Sequence, residues 1–199
     1  MDHGSREVTA FILAGGKSTR MGADKAFVAL DGRTLLARAL DLARSVTPEV
    51  RIVGDAAKFA AFAPVVDDQF RDCGPLGGIH AALRASSSEL NLVLWVDLPF
   101  LSLALLQYLI SRARGSSASV VVPRAAGGWQ PLCAVYRCEF ADAAEIALCE
   151  GRYKIDALFD KASTQEISED ELQVAGFSPR IFRNLNTPEE LASAKAESP

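Results

Sequence analysis

Only two histidines, His3 and His80, occur in the 199 residues, and no two of the four cysteines (Cys73, Cys133, Cys138 and Cys149) are spaced C-x-x-C. A structural zinc site draws on clustered nitrogen and sulfur donors, so the sequence argues against one and for free thiols in a reducing compartment. Long apolar runs are missing too. The strongest, Leu90–Val96, is far too short to span a bilayer. The first seven residues, Met1 to Glu7, are polar and lack the apolar core of a signal peptide. The expectation is a soluble, cytoplasmic protein with no membrane partner. Basic excess is also absent: the net charge of −4 argues against a nucleic-acid binder, which needs a basic face, but leaves room for a local phosphate pocket. The P-loop spacing G-x-x-x-x-G-K-[ST] and the dinucleotide fingerprint G-x-G-x-x-G are likewise not found.

What is present is an alternation of strand and helix signals. Val8–Leu13 is apolar and β-rich and runs into a polar, glycine-containing loop. Thr34–Val46 has helical spacing, with Leu35, Leu36, Ala39, Leu40 and Leu42 on one side. Strands are expected at Val50–Val53, from Pro64 to Val66, at Leu90–Val96, Ser119–Val122 and Trp129–Tyr136. Helices are expected at Lys58–Phe62, from about Ile79 to Ala85, at Ser102–Arg114 with Ser102 as N-cap, and at Phe140–Cys149. Asp156–Lys161 reads as a weak helix, and Thr187–Lys195 as a helix with Thr187 at the N-cap and Pro188 at its first position. Gly74–Gly78 reads as a loop. The alternation predicts an α/β fold, a mainly parallel sheet with helices on both faces. No repeat or linker interrupts the chain, so one domain is expected over 1–199, its N-terminal half binding nucleotide and its C-terminal half facing a second substrate.

Three places carry candidate chemistry. After the first strand, Gly15 and Gly16 lack β-carbons, so the main chain can approach a ligand closely. Successive N–H groups there form an anion-binding concavity, and Lys17, Arg20 and Lys25 add positive charge. This combination suits a polyphosphate. Asp97 follows the apolar strand Leu90–Val96, at the edge where open parallel sheets bind ligands. A carboxylate there is a natural ligand for Mg²⁺, which takes oxygen donors and borrows more from substrate phosphates. Asp67 and Asp68 follow another short strand and can reach the same edge, and the Gly74–Gly78 segment, with Gly78, can lie flat against a base or ribose. His80, Trp129, Phe100 and Tyr136 read as structural: a satisfied histidine, core or pocket wall.

The segments Leu13-Ala14-Gly15-Gly16-Lys17-Ser18-Thr19-Arg20-Met21-Gly22 with Asp24-Lys25, Gly74-Pro75-Leu76-Gly77-Gly78, Val96-Asp97-Leu98-Pro99-Phe100, Gln130 to Arg137, and Asn184-Leu185-Asn186-Thr187-Pro188-Glu189-Glu190-Leu191 span almost the whole chain. Together and in this order they resemble the molybdenum cofactor guanylyltransferase family. The first segment is shared with many nucleotidyltransferases; the last two narrow the match.

The resemblance implies a Rossmann-like nucleotidyltransferase fold that joins GTP to the phosphate of a molybdopterin-type cofactor, with Mg²⁺, releasing pyrophosphate. It implies that Leu13, Ala14, Gly15 and Gly16 line the nucleotide, that Lys25 and Arg20 meet its phosphates, and that Asp68 sits near the nucleoside. Asp97 would hold the metal and Asn186 the pterin side. Molybdoenzymes or cofactor-delivery proteins are the partners it implies. The chain departs from the family where an asparagine often follows the second strand: here Val53 is followed by Gly54 and Asp55. Two rivals stay open: transfer of CMP or another nucleotide to the pterin or to a sugar or polyol phosphate, and a non-catalytic nucleotide-binding accessory protein.

Overall fold

The computed structural model describes residues 7–15, 24–159, 163–185 and 190. Along the chain these form β1 (Val8–Leu13), β2 (Ala29–Leu30), β3 (Arg33–Thr34), α1 (Leu35–Arg44), β4 (Val50–Val53), α2 (Ala56–Phe59), β5 (Val65–Val66), α3 (Pro75–Arg84), β6 (Leu90–Trp95), α4 (Leu103–Arg114), β7 (Val120–Ala125), β8 (Gly128–Trp129), β9 (Cys133–Tyr136), α5 (Phe140–Cys149), β10 (Thr164–Ile167) and α6 (Glu169–Val174). The central sheet has the order β10-β7-β9-β6-β1-β4-β5, with β8 paired to β7, while β2 and β3 form a separate hairpin. Pairs β6–β1, β1–β4, β4–β5 and β10–β7 are parallel; β9 runs against both its neighbours, β6 and β7.

The sheet is buried on both faces, which is why β1 and β6 read as nearly continuous apolar runs. Successive residues of β1 serve opposite cores. Ala10 and Ile12 pack with Leu36 and Leu40 of α1 and Leu105 and Leu109 of α4. Phe11 and Leu13 pack with Leu76 and Ile79 of α3 and Phe140 and Ala144 of α5. On the outer side of that second layer, Arg84 of α3 is 2.8 Å from Asp142 of α5.

Several boundaries differ from the sequence expectation, each for a physical reason. Helix α3 begins at Pro75, at its first turn, so Gly77 and Gly78 lie inside a helix, not in a loop. Helix α2 starts earlier, because the Asp55 carboxylate accepts from Ala57 N–H at 2.9 Å and caps it. The segment expected as one strand from Trp129 to Tyr136 is broken at Pro131 into β8 and β9. Of the segment expected as a weak helix over Asp156–Lys161, the described residues form a 3-10 turn, Ile155–Leu158, and 160 and 161 lie outside the described residues. The β2–β3 hairpin, turning on Asp31 and Gly32 with φ of 53° and 76°, was not expected; neither were β10 and α6. The helix expected over 187–195 lies outside the described residues, apart from Glu190. No helix among the described residues is long and apolar enough to cross a membrane.

Candidate functional site

The register of the sheet gathers the candidate residues. Leu13 at the end of β1 is paired with Val53 of β4 on one side and Trp95 of β6 on the other, and Val53 is paired with Val66 of β5. The ladder continues one residue further. Ala14 N–H donates to Val53 O at 3.0 Å, Gly54 N–H to Val66 O at 3.1 Å, and Val96 N–H to Leu13 O at 3.2 Å. Gly15, Asp55, Asp67, Asp68 and Asp97 therefore leave the sheet along one carboxyl edge. The chain also changes direction here. From β1 it moves outward to β4 and β5, then α3 carries it back to β6 on the other flank of β1. Such a switch point opens a crevice at the strand ends, between the Gly15 and Asp97 segments.

Asp97 is 3% exposed. Its Oδ2 accepts from Lys25 Nζ at 2.9 Å, and its main-chain oxygen accepts from Leu185 N–H at 3.2 Å. Its Oδ1 is buried and has no hydrogen-bond partner among the described residues. Burial pushes the Asp97 carboxyl above the usual range, and the Lys25 ammonium opposes this without cancelling it. Lys25 sits in a 3-10 turn, Lys25–Phe27, whose first N–H groups are capped by Asp24: Oδ1 accepts from Ala26 N–H at 3.2 Å. The other Asp24 oxygen accepts from Lys58 Nζ of α2 at 2.9 Å. Asp24 thus ties the Lys25 turn to α2.

A buried carboxylate oxygen with spare lone pairs suits a hard divalent cation. Among the described residues no three His, Cys, Asp or Glu side chains are grouped to hold a metal. An ion at Asp97 would therefore complete its shell from water and from a phosphate-bearing ligand, as magnesium commonly does.

Beside this pair lies a cavity of about 820 Å³. Leu13, Gly15, Gly54, Asp68, Gly78 and Trp95 are among its walls. The glycines of α3 explain how its floor is built. A β-carbon on Gly77 would stand 2.7 Å from Phe70 O and 2.9 Å from both Asp68 carboxylate oxygens; one on Gly78 would stand 3.3 Å from a Leu13 methyl. The helix can lie against the Asp68–Phe70 turn only because Gly77 is bare, while Gly78 eases its approach to Leu13 of β1. Asp68 accepts from Phe70 N–H at 2.8 Å, and burial raises its carboxyl above the ordinary value despite that bond.

Of the residues singled out in the sequence, Leu13, Gly15, Asp68 and Gly78 line this one cavity, and Lys25 and Asp97 pair at the same edge. Ala14 is in the strand-end ladder, with its side chain in the core under α1. Gly16, Arg20 and Asn186 lie outside the described residues. Asp67 and, from the Gly74–Gly78 segment, Gly74 and Pro75 line the cavity as well, whereas Asp55, Arg71 and Asp72 also line it and were not singled out. The signal for Asp55 was available: an aspartate directly after a strand and before a helix start.

His80 is buried in α3, edge-on to Phe70 with ring centroids 5.1 Å apart and Nε2 3.5 Å from Glu145 Oε2. Neither ring nitrogen makes a well-aligned hydrogen bond among the described residues, while Nε2 lies within ion-pair distance of Glu145. Tyr136 is fully buried and donates to Pro131 O at 2.8 Å, as a core residue should. Because β9 is antiparallel to β6, with Cys133 opposite Leu94, the residues just before β9 arrive at the Asp97 edge. Trp95 N–H donates to Leu132 O at 2.9 Å, and Gln130 is held there by its amide donating to Ala125 O at 3.0 Å.

The family described as MobA-like NTP transferase domain matches residues 10–166. A molybdenum cofactor guanylyltransferase of Desulfosudis oleivorans is 38% identical over 192 residues, covering 95% of this chain and 95% of that protein. Another, of Syntrophotalea carbinolica, is 32% identical and covers 96% of this chain and 92% of its own length. The crystal structure of molybdopterin-guanine dinucleotide biosynthesis protein A from Archaeoglobus fulgidus superposes with a TM-score of 0.82 at 27% identity, over 94% of this chain and 97% of that one.

Proposed function

The chain belongs to the MobA-like NTP transferase family, and on that premise we propose that it transfers GMP from GTP to the terminal phosphate of a molybdopterin-type cofactor, releasing pyrophosphate. The observation that carries the reading is the Lys25–Asp97 pair, 2.9 Å apart at the switch point and beside a cavity of nucleotide size. The names borne by the relatives of Desulfosudis oleivorans and Syntrophotalea carbinolica support guanylyl transfer in particular. The work is assigned to one domain acting in the cytoplasm.

In this reading an acceptor phosphate oxygen attacks the α-phosphorus of GTP. The bond from that phosphorus to the bridging oxygen breaks, and pyrophosphate leaves with the electron pair. No protein nucleophile is required, because the acceptor is already an anion. Lys25, together with Arg20, offsets the charge that develops on the phosphates, and the main chain of Leu13 to Gly16 lies along the nucleotide. Asp68 orients the nucleoside against Gly78 at the floor of the cavity. Asn186 is assigned to the pterin, as the resemblance implies. Asp97 Oδ1 would hold magnesium, which supplies charge neutralisation at the reacting phosphates when bound. Positioning and electrostatics account for most of the rate in such transfers.

The test is pyrophosphate release by the whole chain in Mg²⁺ with molybdopterin and, in separate reactions, GTP, CTP, ATP or UTP. The expected result is release that requires both GTP and the pterin. Faster release with CTP would make the protein a cytidylyltransferase. Binding of GTP with no release from any nucleotide would make it an accessory binder and overturn the proposal.

A further inference from the structure

The carboxyl edge has two electrostatic ends. The acidic one is built by the cavity walls, Asp55, Asp67, Asp68 and Asp72 with Arg71 among them, on the β4 and β5 side; Lys25, paired with Asp97 after β6, stands at the same sheet edge but outside those walls. A triphosphate is repelled by that acidic end, so the base and ribose must face it.

Gly54 lies where the base end meets the sheet. A β-carbon there would stand 3.0 Å from both Cδ2 and Cε2 of Phe59. That ring cannot yield easily: it is 1% exposed and stacks on Phe27 of the Lys25 turn with centroids 5.8 Å apart. Position 54 therefore offers bare main chain and no polar side chain. The first polar side chain past β4 is Asp55. Strand β4 adjoins β1, so Asp55 is about one strand spacing, ~4.8 Å, from the Ala14–Gly15 main chain, whereas Asp67 and Asp68 follow β5, one strand further out. The Asp55 carboxylate is also held in place, because Oδ1 accepts from Ala57 N–H at 2.9 Å while Oδ2 remains for a ligand. Lys58, the nearest cation on α2, is engaged by Asp24 at 2.9 Å.

Resting on the guanylyl-transfer reading, we infer that Asp55 is the residue that selects guanine, its carboxylate accepting from N1–H and the exocyclic N2–H₂ of the base. The chemistry discriminates. Guanine alone among the common bases presents two adjacent donors on its pairing edge. Adenine and cytosine each offer an amino group beside an acceptor nitrogen, and uracil a single N–H between two carbonyls. Asp55 is exposed at the cavity wall, so the discrimination rests on repulsion between its carboxylate and those acceptors and on the loss of two charge-assisted hydrogen bonds.

The test compares dissociation constants for GTP and inosine triphosphate, which lacks only the N2 amino group, by calorimetry on the whole chain. The variant is Asp55→Ser, since serine still caps α2 but cannot reach the base. The unmodified protein should prefer GTP by roughly tenfold or more, the worth of a hydrogen bond to a charged group. In Asp55→Ser the ratio should fall close to one, with thermal melting little changed. Should that variant fail to fold, Asp55→Asn is read in the same way, because its amide turns a donor toward the base donors. An unmodified protein indifferent to the N2 group, or a folded variant that keeps the full ratio, overturns the assignment. These outcomes are separable from the transfer reaction: GTP bound with the expected preference but no pyrophosphate released sinks the proposed function and leaves Asp55 in place.

Discussion

Lys25 Nζ meets Asp97 Oδ2 at 2.9 Å across 72 residues of chain, and the second Asp97 oxygen stays buried without a hydrogen-bond partner among the described residues. One side chain thereby serves two cations, the lysine by one oxygen and, in the proposed reaction, a divalent ion by the other. The first prediction concerns this carboxylate.

Asp97→Asn should lower turnover by about a hundredfold or more, the scale of losing an electrostatic group in such a site. It should not lower the melting temperature. Burial holds the Asp97 carboxyl above its ordinary range, so the charged form carries a penalty in the folded chain. That penalty is present above the folded-state pKa and vanishes as pH falls through it; a neutral amide lacks it at every pH. Pyrophosphate assays and thermal melts from pH 5 to 8 check both halves. A clear drop in melting temperature at pH 8 would contradict the account of the burial penalty.

Lys25→Met should weaken nucleotide use by roughly 10- to 100-fold, as expected for loss of a charge-assisted contact. Most of the effect should appear in KM for the nucleotide. Steady-state kinetics with each substrate varied in turn would show it; an effect confined to the pterin would place Lys25 elsewhere in the reaction.

Gly77→Ala and Gly78→Ala should differ, although the residues are adjacent in α3. At Gly77 the obstacle is the main-chain oxygen of Phe70, 2.7 Å from the new β-carbon, so the helix must shift. The expected loss is about 1–3 kcal/mol, or a melting temperature lower by about 2–4 °C per kcal/mol, with a higher nucleotide KM because Asp68 moves too. At Gly78 the obstacle is a Leu13 methyl at 3.3 Å, and alanine favours helix by up to about 1 kcal/mol. Its melting temperature should stay near that of the parent. Equal melts for the two would argue against the close approach at Gly77.

Asp24→Ala removes both the cap on the Lys25 turn and the tie to Lys58, yet leaves Lys25 in the chain. The expected signature is a several-fold higher KM for the nucleotide with kcat nearly kept, the mark of a positioning residue. Asp24→Asn, which keeps the cap, should recover part of the loss. An equal fall in kcat and kcat/KM would instead implicate Asp24 in the transition state.

Much of the candidate site was legible because its residues sit at strand ends. Val8–Leu13 and Leu90–Trp95 are buried on both faces, so hydrophobicity alone located them, and the residues that leave their ends, Gly15 and Asp97, follow by counting. What could not be read were features decided by packing between distant segments. Gly77 and Gly78 look like loop residues because glycine disfavours helix, yet the contacts with Phe70, Asp68 and Leu13 override that preference. The direction of β9 is equally silent, since an apolar strand of four residues has no polarity of pattern. Other features had signals that were passed over. Asp31-Gly32 is a hairpin dipeptide, and Ser168 with Glu171 forms a capping box in which each side chain bonds the other's main-chain N–H.

The reversed strand has a practical corollary for anyone altering this protein. Chain entering β9 comes in at the reaction rim, near Trp95, whereas chain leaving it at Tyr136 departs beside Asn91, at the far end of the sheet. Lengthening the hairpin tip at Ala126–Gly127 would thus add chain beyond the carboxyl edge, two strands from β6, without touching the strands that present the nucleotide loop. The same insertion a dozen residues later, near Cys138, would emerge on the opposite pole and leave the chemistry alone.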